Sequence, residues 1–171
     1  MDKILIAYYS RPGQNYVSGI IVDLIVGNTE VVANKIQQMT SGQLFKIDTK
    51  NKYPVDYTET TRVAKDELRS NARPVLTNKL MNTDDFDIIY LGYPNWWGTF
   101  PMVVFTFLES FDFTGKTIIP FCTHEGSGLG NSIRDIKNCC PDAKVLDGLA
   151  LFGSVVSKSD SQLEKWLETI K

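Results

Sequence analysis

The sequence predicts an α/β fold: a three-layer sandwich in which one doubly wound, five-stranded parallel sheet, order 2-1-3-4-5, carries helices on both faces. Three observations point there. Short apolar runs alternate with longer amphipathic stretches. The central runs, such as Ile88-Ile89-Tyr90-Leu91, are apolar without alternation, as strands covered on both faces are. The amphipathic stretches begin and end on helix punctuation. At 171 residues with 43% apolar side chains, the chain can bury one sizeable core and is too short for two ordinary ones. Residues 1–171 therefore read as a single domain.

Lys3 to Tyr9 is the first strand. Arg11 to Gly27 follows, far longer than the usual βα connection, and its stretch Gly19 to Gly27 predicts an added hairpin or an edge cover. Asn28-Thr29 starts a helix that keeps Val32, Ala33, Ile36 and Met39 on one face and stops at Gly42. Leu44 to Asp48 is the second strand. Asp56 and Glu59 have capping-box spacing ahead of a charged helix reaching about Arg73, before Pro74. After the third strand, Asp87 to Gly92, Pro101 opens a very apolar helix that turns Val103, Val104, Phe107 and Leu108 inward and nears its end at Ser110. Thr117 to Cys122 is the fourth strand, Gly130 to Cys139 the fourth helix, and Lys144 to Leu151 the fifth strand. Ser159 and Gln162 cap the last helix, which buries Leu163, Trp166, Leu167 and Ile170.

Composition excludes several functions. A formal charge of -2, from 18 basic and 20 acidic residues spread along the chain, offers no basic stripe for nucleic acid. The apolar run at the start is too short for a membrane span and has no signal-peptide cleavage site, so a cytoplasmic location is expected. Cys122, Cys139 and Cys140 have no C-x-x-C spacing and only one histidine for company, which argues against a disulfide framework or a metal site. Cys139-Cys140 reads as a partly buried helix end.

In an open α/β sheet, ligands sit beyond the carboxyl ends of the strands where the winding reverses. For this order the lining loops are Ser10 to Thr29, Tyr93 to Pro101 and Thr123 to Gly130, also the three most unusual stretches of the sequence. Neither common phosphate motif is present. Gly126-Ser127-Gly128-Leu129-Gly130 lacks the third glycine of a dinucleotide fingerprint and follows the wrong strand, and Gly115-Lys116-Thr117 enters a strand where a Walker loop would leave one, so it reads as a tight turn. What remains is Ser10 beside Gly27-Asn28-Thr29, where a helix N-terminus offers free N–H groups and a positive dipole end to a phosphate. Helix capping by Asn28 or Thr29 is the plainer alternative.

A flat conjugated ring beside that phosphate would use the second loop. Trp96 or Trp97 can stack on it while the backbone of Asn95 and Gly98 reaches the ring edge; one of the two indoles can instead only pack inward, since neighbours on the chain diverge. The third loop, Thr123-His124-Glu125-Gly126-Ser127-Gly128, brings N–H donors to the same crevice. His124, the single imidazole, is either structural or a proton donor there. No G-x-S-x-G elbow accompanies it.

On S-R-P-G-Q-N-Y followed by G-N-T, on G-Y-P-N-W-W-G-T-F-P and on P-F-C-T-H-E-G-S-G-L-G, the chain resembles the flavodoxin family along its whole length, specifically flavodoxin-like FMN proteins with a long first loop. That resemblance implies FMN as cofactor, with Ser10, Asn28 and Thr29 on the phosphate, Pro94 to Gly98 bordering the isoalloxazine, and Thr123 to Gly128 on its pyrimidine side. The usual T-x-T-G-x-T phosphate loop is split here by the insertion, which is expected to cover part of the phosphate end. Flavodoxins proper are strongly acidic, and this chain is not. The leading expectation is therefore an FMN-dependent oxidoreductase passing electrons from NAD(P)H to a small acceptor such as a quinone. The alternatives are an electron carrier serving a redox partner protein, and a flavin-free interaction module using the paired tryptophans. The sequence leaves a monomer and a homodimer both open.

Overall fold

A computed structural model describes residues 2–78 and 82–170. Chain order is β1 (Ile4–Tyr8), β2 (Gly13–Val17), β3 (Ile20–Leu24), α1 (Asn28–Thr40), β4 (Gln43–Lys46), α2 (Tyr57–Arg69), β5 (Ile88–Pro94) and α3 (Met102–Ser110). Then come β6 (Thr117–His124), α4 (Ser132–Cys139), β7 (Lys144–Val145), β8 (Leu149–Phe152), a 3-10 helix (Gly153–Lys158) and α5 (Asp160–Thr169). The main sheet runs β4-β1-β5-β6 with every pairing parallel, and β7 and β8 share the position beyond β6. This is the flavodoxin-like order 2-1-3-4-5.

The fifth strand breaks into two, and Pro120 explains why. β7 pairs Thr117 and Ile118 of β6, and β8 pairs Phe121 to His124. Between them the Pro120 carbonyl abuts Gly148, so the proline nitrogen faces the same edge with no hydrogen to give, and the ladder lapses.

Each central strand divides its side chains between two cores. Leu5, Ala7, Ile89 and Leu91 join Val103, Val104 and Phe107 of α3 on one face, while Ile6, Tyr8 and Tyr90 join Val32, Ile36 and Leu163 on the other. Both sets are apolar, which is why the strands show no alternation. Gly92 of β5 lies beneath Phe121, and a Cβ there would come within 2.2 Å of that ring. Gly92→Ala is expected to cost about 1–3 kcal/mol through overpacking, read as a lowered urea midpoint at unchanged slope.

The helix ends differ from expectation in detail. Asp56 does accept from the Glu59 N–H at 2.8 Å. That helix stops at Arg69, short of Arg73, because the Ser70 hydroxyl bonds back to the Asp66 carbonyl and Asn71 turns left-handed at φ 51. The α1 C-cap is Ser41, at φ 56, and Gly42 is needed instead for space, since a Cβ would fall 2.7 Å from Ile4. Ser159 does not cap α5; its hydroxyl donates to the Val156 carbonyl. Cys139 and Cys140 end α4, and burial pushes their thiols up to about 11 and about 12, out of reactive range.

The long first connection forms an antiparallel hairpin, β2 on β3, closed by Ser18 and Gly19. Both take positive φ, 51 and 90, which suits the twist of a two-residue turn. Among the described residues, no helix is long and apolar enough to cross a membrane.

Candidate functional site

The three loops meet. A cavity of about 260 Å³ at the carboxyl ends of β1, β5 and β6 is lined by Ser10, Asn28, Thr29, Pro94, Asn95, Trp96, Thr123, His124, Glu125 and Ser127. Ten of the fourteen residues singled out in the sequence thus share one wall.

At one end stands the N-terminus of α1. Its N-cap is Gly27, not Asn28 or Thr29, and no side chain of its own caps it. Ser10 does that from the neighbouring strand, its Oγ accepting from the Glu30 N–H at 3.0 Å. The buried Thr29 hydroxyl bonds the Thr123 hydroxyl at 2.8 Å, fixing helix to β6. The Asn28 and Thr29 N–H groups find no acceptor among the described residues, so the first turn presents two free donors at the positive end of the dipole. Gly27 makes this possible: a Cβ there would lie 2.2 Å from Ser10 Oγ and 2.7 Å from the Arg11 carbonyl oxygen.

At the other end the tryptophans part. Trp96 and Thr99 exchange backbone hydrogen bonds around a two-residue turn in which Trp97 and Gly98 have φ 56 and 89. That geometry sends consecutive side chains apart. Trp96 turns inward, edge-on to Tyr9 at 5.4 Å and to Tyr53 at 5.1 Å between centroids. Trp97 stays half exposed, its Nε1–H donating to the Thr61 carbonyl of α2 at 2.9 Å. A left-handed tryptophan costs about 1–2 kcal/mol, so α2 holds it against strain.

Asn95 joins the second loop to the third. Its N–H donates to the Thr123 carbonyl at 2.9 Å, its Nδ2 to the Gly128 carbonyl at 2.8 Å, and its Oδ1 accepts from the Gly98 N–H at 3.0 Å. The Gly98 carbonyl in turn accepts from Asn131 at 2.7 Å. The Gly98 backbone expected at the ring edge is thus engaged within the protein. Trp97 and Gly98 line a second cavity next door, of about 340 Å³, while Gly126 and Gly128 shape the third loop without reaching the first cavity.

Glu125 braces the rim. Its two carboxylate oxygens accept from the Ser18 N–H at the hairpin tip and the Ser154 N–H of the 3-10 helix, each at 3.0 Å. The His124 Nδ1 accepts from the Gly126 N–H at 2.9 Å, so the neutral ring carries its proton on Nε2. Burial holds this imidazole below its ordinary value of 6.5, the nearby Glu125 carboxylate pulling the other way. The folded chain resists a proton that the unfolded chain accepts, so stability falls as pH drops through the unfolded value. The urea midpoint is expected to fall further for the parent chain than for His124→Asn between about pH 7.5 and pH 5.5.

Five further lining residues were not named as site candidates in the sequence: Arg11, Asn15, Tyr16, Tyr57 and Gly153. Asn15 and Tyr16 belong to the hairpin, whose fold over the site no local pattern encodes. Tyr57 arrives on α2 and stacks on Tyr16 at 6.3 Å between centroids. Gly153 carries a readable signal, a glycine directly after a strand; a Cβ there would fall 2.4 Å from the Asn28 side-chain nitrogen Nδ2.

A sheet of this order with a bare helix N-terminus and an inward indole at its switch point defines the flavodoxin-like class of α/β proteins. The model of the flavodoxin family described as Flavodoxin_4 matches residues 3–170, and the chain belongs to that family. Among solved structures it is similar to a candidate flavoprotein of Bacteroides eggerthii DSM 20697, at 28% identity and TM-score 0.78 over 99% of this chain and 98% of the other. A second, from Bacteroides uniformis ATCC 8492, gives 27%, 0.74, 95% and 98%. A flavoprotein from Lactobacillus acidophilus NCFM, solved in complex with FMN, shares the fold at 21% identity and TM-score 0.67 over 97% and 99%. No curated protein matches the chain. Membership of the flavodoxin family supports FMN as the cofactor. The residues present fit it: two free N–H donors for a dianion at one end, an indole and backbone-lined loops for a ring at the other.

Proposed function

We propose that the chain binds FMN in the first cavity and is an oxidoreductase that takes two electrons from NADH or NADPH and gives them to a small acceptor such as a quinone. The observation that carries this reading is the convergence of the Asn28 and Thr29 N–H groups and the Trp96 indole on one cavity. Bound flavin supplies the redox chemistry; the protein sets its position, potential and access. Asn28 and Thr29 donate to the phosphate, Ser10 holds that turn in place, and the Thr29–Thr123 bond locks it to the sheet. Trp96 borders the ring, stiffened by Tyr9 and Tyr53.

The first cavity adjoins the second through Arg11, Asn15, Tyr57, Asn95, Trp96 and Ser127, which line both, so a reactant has room beside whatever the first cavity holds. The net reaction balances as NAD(P)H plus a proton plus quinone giving NAD(P)+ plus hydroquinone. The test is a flavin absorption spectrum after addition of FMN, then steady-state NADH and NADPH oxidation with a quinone. A flavin spectrum and sustained turnover are expected. No flavin uptake, or uptake with turnover only when a separate reductase is added, overturns the reading.

A further inference from the structure

The second cavity carries a chemistry of its own. It shares Arg11, Asn15, Tyr57, Asn95, Trp96 and Ser127 with the first, so a molecule held there touches whatever occupies the first. Trp96, Trp97 and Tyr57 give it aromatic walls, and α2 closes one side with Thr60, Thr61 and Ala64. The fold maintains this wall at a cost, because Trp97 is kept left-handed by its bond to Thr61.

The charge is one-sided. Arg11 is only 9% exposed, and its guanidinium donates to the Gln14, Pro54 and Val55 carbonyls, the last two at 2.7 and 2.8 Å. All three partners are neutral. Among the described residues no carboxylate forms an ion pair with it, and none lines the cavity. Of the acids nearby, Glu67 accepts from the Tyr53 hydroxyl at 2.6 Å, and Asp56, which accepts from the Glu59 N–H, acts on Arg11 without an ion pair. Burial depresses the Arg11 pKa from its ordinary value, and the opposing pull of Tyr9, Asp56 and Tyr57 does not offset it. A second cation packs on one of the walls, with Lys65 Nζ 4.6 Å from the centroid of the Trp97 ring. A buried charge is costly unless paired, and the missing partner belongs on a ligand.

We infer that the second cavity is the acceptor site and selects a planar conjugated acceptor bearing an anionic group, a carboxylate or sulfonate, with the ring between Tyr57 and the tryptophans and the anion toward Arg11 and Lys65. Arg11 and Lys65 act as specificity determinants, while the anionic group takes no part in the electron transfer: two electrons and two protons still convert quinone to hydroquinone. The inference rests on the flavin reading above, and its test separates the two.

The probes are anthraquinone-2-sulfonate and the neutral 2-hydroxymethyl anthraquinone, titrated calorimetrically into the FMN-loaded, oxidised protein. The sulfonate is expected to bind at least about tenfold more tightly. That preference falls by about tenfold in Arg11→Met and by about threefold in Lys65→Met, and high salt erodes the Lys65 share first. Arg11 also braces the loop before α2, so Arg11→Met is checked by circular dichroism; Lys65→Met gives up one cation–π contact on α2 and keeps the test decisive if the other variant misfolds. Equal binding of the two probes to the parent protein, or an unchanged preference in folded Lys65→Met and Arg11→Met, overturns the inference and leaves the flavin reading intact. Failure of the parent chain to take up FMN overturns both.

Discussion

Trp96→Ala is expected to remove about 3 kcal/mol of stability, and Trp97→Ala less than about 1, although the two residues are identical and adjacent. The turn that separates them decides this. Trp96 meets Tyr9 and Tyr53 edge-on at 5.4 and 5.1 Å, and behind those rings lies the α3 side of the core. Cutting it to a methyl leaves a void walled by the buried Tyr9 and the half-buried Tyr53, whose rings are held by their own packing. The cost sits at the low end for a buried aromatic because the other indole face already opens on the cavities. Trp97 is half exposed, and its truncation loses one hydrogen bond and a cation–π contact while freeing the backbone from the bond that holds it left-handed, so part of the loss is offset. Urea unfolding of both variants checks the contrast, and Trp96→Phe should recover most of the loss. Equal losses at the two positions would mean that the assignment of an inner and an outer tryptophan is wrong. FMN affinity should follow the same order, since only Trp96 faces the first cavity.

The fold was legible because burial on both faces writes itself locally: Ile88 to Leu91 is apolar without alternation, as a covered strand is, and winding rules leave few orders for such strands. The candidate site was legible where loops carry unusual residues, as at Trp96 and Asn95, although Trp96 also packs against the core. What stayed hidden depends on contacts between distant segments. Arg11 looks like any loop arginine until the chain returns with Pro54 and Val55, more than forty residues later, to receive its guanidinium. Tyr57 lines the cavity only because the hairpin brings Tyr16 alongside it. Pro120 was visible in the sequence, yet its effect needed the neighbour, because a missing N–H matters only on the side where a strand would pair. The same holds for Ser10. Its Oγ accepts from the Glu30 N–H, which makes it the cap that Asn28 and Thr29 were candidates to provide, beside the phosphate role expected of its hydroxyl hydrogen.

Gly27→Ala should cost FMN affinity by about 100-fold while changing riboflavin affinity less than about threefold. The added methyl would come within 2.2 Å of Ser10 Oγ, 2.7 Å of the Arg11 carbonyl oxygen and 2.9 Å of its carbon. The hydroxyl could rotate away, at the loss of its bond to the Glu30 N–H, but the Arg11 backbone has no such freedom. Relief therefore requires the end of β1 and the start of α1 to move apart, and that junction is what holds the Asn28 and Thr29 N–H groups on the cavity. Two charge-assisted hydrogen bonds at about 1.5 kcal/mol each make about 3 kcal/mol, which is about two decades in the dissociation constant. Riboflavin has the ring and no phosphate, so it reads the Trp96 end alone. Loss of both ligands in equal measure would point to a collapsed fold, which circular dichroism would register. Unchanged FMN binding would instead mean that the phosphate rests somewhere other than the first turn of α1, and the orientation of the cofactor in the cavity would have to be reversed.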